Sequence, residues 1–186
     1  MNMKNIFFIS IALLIIGVLG RVIPHPPNFT PIGGIIIFSV LKIENKFFKY
    51  LFPLFVFWIS DLIVNNVLIP NQFPQYYQGF SLFGSGYIYL ALITIVASLE
   101  RYTSRNSRSP ILGGSLISAT LFFLITNFGV WVGSSIYPST FLGFILCLGA
   151  GVPFFGNHLL STLMYSFILV KGYEIAKDFS LKKYLN

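Results

Sequence analysis

Charge is what this sequence has least of. Only 9% of its 186 residues are Asp, Glu, Lys or Arg, and just five of them are acidic. Soluble domains carry about 25% charged residues. With 55% hydrophobic residues and a mean hydropathy of +0.80, this chain cannot fold in water. Cysteine is nearly absent as well. Cys147 stands alone in an apolar run, which excludes intrachain disulfides and multi-cysteine zinc or iron sites. His25 and His158 each lack a second His or Glu at i+4, and the chain has no Gly-rich phosphate loop, nucleophile elbow or paired carboxylates. These absences leave little to build an enzyme from, so none is expected, and no cofactor is called for. Whether a metal binds stays undetermined.

What is present is apolar sequence in span-sized pieces. Residues 5–22, 31–43, 47–66, 85–101, 109–131 and 153–176 are each apolar enough to enter a hydrocarbon core about 30 Å thick. The first could pass for a signal peptide, but no small-x-small cleavage site follows it and five more apolar stretches do. The expected fold is an all-α integral membrane protein, a six-helix transmembrane bundle forming one domain over residues 1–186. No internal repeat relates its halves, which does not favour an inverted-repeat transporter.

The basic residues orient this bundle. Lys4 precedes the first stretch, Lys42, Lys46 and Lys49 fall in the second connection, Arg101, Arg105 and Arg108 in the fourth, and Lys171, Lys177, Lys182 and Lys183 at the C-terminal end. With six crossings, all of the 12 basic residues except Arg21 share one side. That is the positive-inside rule, and it places both termini in the cytoplasm. A net charge of +7 is then a cationic rim facing anionic lipid headgroups, so the bilayer is the partner and no nucleic acid is needed.

The connections on the other side carry no charged side chain and are rich in Pro, aromatic and amide residues: 23–30, 69–84 and 133–152. The second apolar stretch, about 13 residues or roughly 20 Å long, is too short to cross alone. Thr30 and Pro31 should start it as N-cap and first helical residue. Pro24, Pro26 and Pro27 then hold His25 and Asn28 on non-helical backbone at membrane depth, which is tolerated only where it is buried in protein or lines a polar cavity. Residues 139–152 read as a re-entrant or interfacial helix ended by Pro153.

Polar residues converge on the same side. Asp61, an acidic residue well inside an apolar span, needs a partner, and Arg21 is the available cation. Trp58, Asp61 and Asn65 share one helical face. Asn127 and Trp131 form a second, and Asn157 and His158 open the last span. Together with His25 and Asn28 these residues form the candidate substrate-binding set, in a pocket open to the outside.

The segments RVIPHPPNFTPIGG (Arg21 to Gly34), WISDLIVNN (Trp58 to Asn66), TNFGVW (Thr126 to Trp131), YPST (Tyr137 to Thr140) and VPFFGN (Val152 to Asn157) carry a resemblance over most of the chain. The sequence resembles a family of uncharacterised bacterial membrane proteins described as transport proteins. These in turn look like the substrate-binding S components of energy-coupling-factor (ECF) vitamin importers. The resemblance implies a multi-pass protein of the bacterial cytoplasmic membrane that captures a small nutrient outside. It also implies hand-over to a transmembrane coupling protein with ATPase subunits. S components often dock that protein through an alanine-x-x-x-alanine motif in the first helix, where this chain has Ser10, Ala12, Gly17 and Gly20. The alternatives are a stand-alone small transporter or channel, a membrane enzyme, and a structural or assembly protein.

The charge sorting is tested by labelling. After Cys147 is replaced, single cysteines at Gln75 and Ser134 should react with an impermeant thiol reagent in intact cells, and one at Asn106 should not. Labelling at Asn106 would overturn six crossings.

Overall fold

The computed structural model describes residues 3–76, 79–104 and 109–185, with side chains over 8–75, 79–104 and 109–178. Arg105, Asn106 and Arg108, and the side chains of Lys4, Lys182 and Lys183, lie outside the described residues. Among those described, the chain is helical throughout, without a strand. The helices are α1 (Met3–Val22), α2 (Ile32–Lys42), α3 (Lys46–Gln72), α4 (Gly86–Ser104), α5 (Pro110–Gly133) and α6 (Phe141–Leu185). Three stretches, Lys46–Gln72, Pro110–Gly133 and Phe141–Asp178, are long and apolar enough to cross a membrane, the mark of a membrane protein.

The centre of the molecule is α2. Residues 31–40 are all buried, as befits a helix apolar on every side, and α2 touches each of the other five helices. Glycine permits this crowding. A Cβ on Gly34 would come within 2.6–2.9 Å of Tyr165 and the Ser166 backbone, and one on Gly33 would strike Thr162, so α6 can lie directly on α2. On another side Ile35 and Val56 close over Gly17 of α1, and Ile37 and Leu99 pack beside Gly114 of α5. The small-residue face of α5 is buried at Gly114, Ser115, Ser118 and Ala119, as helix packing without water requires.

Cross-helix contacts fix the directions. Arg21 bonds Asp61, so α1 and α3 run alike, and Lys42 bonds Glu174, so α2 and α6 run alike. Lys49 on Glu100 makes α3 and α4 antiparallel, and Tyr87 against Gly129 does the same for α4 and α5. Lys42, Lys49, Arg101 and Lys171 therefore gather at one end. The proline- and aromatic-rich connections gather at the other. Small hydroxyls fill the interior, with Ser39, Ser161, Thr162 and Ser166 fully buried, while Leu112, Leu160, Phe167 and Ile168 are exposed. This reverses the arrangement of a soluble protein and suits a lipid surround.

Two local expectations need correcting. Thr30 does not cap α2: the helix begins at Ile32, no side chain caps it, and Pro31, already at φ −75° and ψ −6°, accepts the first bond from Ile35 N at 2.9 Å. Proline's fixed φ pre-forms that turn without a capping hydroxyl. Pro153 does not end a helix either, since α6 runs through it without a break. Pro153 is exposed, so its ring displaces no neighbour. The bond it forfeits, about 3 kcal/mol in cost, is outweighed by packing against α2 and α5. The start of α6 is set instead at Thr140, whose Oγ1 accepts from Gly143 N at 3.1 Å.

Candidate functional site

The candidate residues separate into two groups of different character. The first is closed. Arg21, at the end of α1, donates from Nη1 to Ser60 Oγ (2.9 Å) and the Phe57 carbonyl (3.2 Å). From Nη2 it donates to Asp61 Oδ1 (3.0 Å), and its guanidinium lies 4.3 Å from the Phe57 ring centre. Asn65 donates to the other oxygen, Asp61 Oδ2, at 3.1 Å. Both carboxylate oxygens are thus occupied, and Asp61 is only 5% exposed.

A roof covers this cluster. Beyond Ile63 the helix widens into a π turn over Val64–Leu68, which brings Asn66 to the same side. Asn66 donates to the Ser81 carbonyl at 2.8 Å and accepts from Ser81 N at 2.8 Å. Trp58 Nε1 donates to the Leu82 carbonyl at 3.0 Å. Gly84 then lies on the carboxylate itself, where a Cβ would collide with Asp61 Oδ2. Arg21, Trp58, Asp61 and Asn65 therefore form a sealed clamp that ties α1, α3 and the connection before α4 together. Such a buried pair is stable because both carboxylate oxygens and both terminal guanidinium nitrogens have partners.

The second group is open. A cavity of about 640 Å³ lies between α4, α5 and α6, in the half of the bundle away from the lysines. Asn28, Asn127 and His158 of the expected set line it. Arg21, His25, Trp58, Asp61, Asn65, Trp131 and Asn157 do not. Those outside it hold its frame: Asn157 Nδ2 donates to the Pro27 carbonyl at 3.0 Å, and Trp131 Nε1 to the Pro138 carbonyl at 2.9 Å. His25 Nδ1 bonds only the adjacent Pro26 carbonyl, at 2.8 Å. Asn28 sits at φ +61°, a left-handed conformation that Asn tolerates better than most residues.

His158 is the chemically distinctive member. It is 4% exposed and stacked on Phe122 at 4.5 Å and 13°, with Asn28 also in the cavity lining. Its Nε2 is buried without a partner. Asn127, by contrast, is engaged: Nδ2 donates to the Phe123 carbonyl at 2.8 Å, and the Cys147 thiol donates to its backbone carbonyl at 3.4 Å. Phe122, Phe123, Tyr87, Tyr137, Phe154 and Phe155 bring aromatic rings to its walls, among smaller and polar residues.

A second groove of about 790 Å³ lies toward the lysine end, with Leu41, Met164 and Phe167 in its walls. Its charged rim is self-paired, Lys42 and Lys171 each 2.8 Å from Glu174. Among the described residues none of the buried unpartnered polar atoms lines it. No group of three or more possible metal ligands occurs among the described residues.

Fold and site define the class: a helical membrane protein with an aromatic-walled cavity at one end of its bundle. The chain belongs to the family of unknown function DUF6580, whose model matches residues 1–184. Neither a curated protein nor a solved structure matches it.

The sealed clamp is open to a double-mutant test. Asp61→Asn and Arg21→Gln should each lower stability by roughly 3–5 kcal/mol, the usual cost of orphaning one member of a buried pair. The double variant should lose clearly less than the sum. Additive shifts in melting temperature would show that the two side chains do not depend on each other.

Proposed function

We propose that this protein is the substrate-binding membrane component of a small-molecule importer, similar in kind to an ECF S component. In this reading the chain crosses the bacterial cytoplasmic membrane six times, the second crossing completed by the proline-rich backbone before α2, with both termini inside. The alternating helix directions and the gathering of lysines at one end support that orientation. It turns the cavity toward the outside.

The observation that carries the reading is the cavity itself: about 640 Å³, with aromatic rings and a few polar side chains, the buried His158 among them, in its lining. Binding sites for small organic molecules have this volume and this sparing use of polar groups. A stand-alone channel fits less well, because Ile35, Ile36 and Ile37 of α2 are fully packed at the centre of the bundle and leave no continuous path. Uphill transport needs energy, and the chain carries no phosphate-binding loop, so a coupling protein with ATPase subunits is part of the proposal. Its docking face is not the glycine side of α1, since Gly17 packs on Val56 and Gly20 on Pro31.

Native mass spectrometry of gently purified protein tests the reading. The wild type should retain a small molecule. Ala150→Trp, at an exposed position of the cavity wall, should lose it without a change in melting temperature. If only phospholipid is ever retained, and the variant behaves like the wild type, small-molecule capture is wrong.

A further inference from the structure

We infer that the groove toward the lysine end holds one anionic phospholipid, its phosphate on Lys42 and Lys171 and an acyl chain along α6. This site is separate from the outer cavity and does not depend on small-molecule capture.

The walls suit a hydrocarbon chain. Buried Val170 of α6 and half-buried Leu41 of α2 line the groove together with exposed Leu112 of α5 and exposed Leu160, Met164 and Phe167 of α6. From Leu160 to Lys171 the helix rises about 16 Å, close to the depth of one leaflet of a hydrocarbon core about 30 Å thick. Water in the groove would meet apolar side chains over most of that length, so an acyl chain fills it better.

The charge at the mouth selects which lipid. Of the lining residues only Lys42, Lys171 and Glu174 are charged. Lys42 Nζ donates to Glu174 Oε1 and Lys171 Nζ to Glu174 Oε2, each at 2.8 Å. One carboxylate thus serves two ammonium groups, which leaves the mouth one positive charge in excess. An ammonium has three N–H donors, so each lysine keeps donors for the oxygens of a phosphate. Lys42 is also held in place, its Nζ 5.7 Å from the centre of the Tyr173 ring, which meets Phe38 edge to face at 5.6 Å. Helix α5 begins at the same mouth, at Pro110, and its N-terminus adds partial positive charge. A phosphodiester without a cation of its own balances this excess. A zwitterionic headgroup brings a further ammonium to a mouth that already has one too many.

The test is native mass spectrometry of the full chain, stripped of lipid in detergent and offered equal amounts of phosphatidylglycerol and phosphatidylcholine with the same acyl chains. One phosphatidylglycerol should be retained with about fivefold preference, the effect of about one lysine beside an anionic lipid. Lys171→Gln, at an exposed position, should abolish the preference. Lys177→Gln, at the same end but outside the groove, and Ala150→Trp, in the outer cavity, should keep it. Phosphatidylglycerol with a photoreactive diazirine in one acyl chain should label the wild type on α6 between Leu160 and Ile168. Equal retention of the two lipids, a preference that Lys171→Gln leaves unchanged, or labelling spread over the other helices would overturn the inference. So would a polypeptide co-purified from host membranes that crosslinks to this stretch and excludes the photoreactive lipid, because a partner helix would then occupy the groove.

Discussion

A helix too short for its position governs this molecule. At 11 residues α2 rises about 16 Å, roughly half of a hydrocarbon core, and it is buried at the centre with every other helix against it. On the proposed six crossings, the remaining depth falls to the proline-rich backbone before it, whose carbonyls would need donors where water is scarce. Asn157 supplies one of these, reaching the Pro27 carbonyl at 3.0 Å, and the His158 ring neighbours Asn28. Both side chains come from α6, and the cavity opens beside them. The cavity thus follows from the short helix.

Two clusters at the same end solve the problem of polar groups in opposite ways. Around Asp61 the guanidinium, the amide of Asn65 and the roof from Ser81 to Gly84 leave no oxygen of the carboxylate free. That arrangement holds helices together and has nothing left to offer a ligand. Around His158 the packing is equally tight, yet one nitrogen is left without a partner. A buried polar atom in that state costs roughly 1–3 kcal/mol.

Much of the helical framework was legible in the sequence, because apolar runs and the sorting of lysines report directly on membrane physics. The Arg21 and Asp61 pairing was legible too, since a lone buried acid requires a cation and the chain offers one in reach. The cavity lining was less so, and the reason is Pro153. Taken as a helix end, it divides Cys147 and Gly151 from His158, although spacings of four and seven along a continuous α6 bring all three to the cavity side. Phe122 and Tyr87 were missed because an aromatic residue in an apolar span looks like ordinary packing until its neighbour is known. Asn66 was missed because it joins the clamp through a π turn, which no α-helical spacing reveals.

Polar convergence at the outer end combines, on this account, a structural clamp and a separate ligand site. The most direct test is a high-resolution structure of the wild-type protein purified in nanodiscs from its own host. The account predicts a non-lipid, small-molecule density in the cavity between α4, α5 and α6, with the Arg21–Asp61 cluster closed beside it. A cavity holding only a lipid tail or ordered water would contradict it.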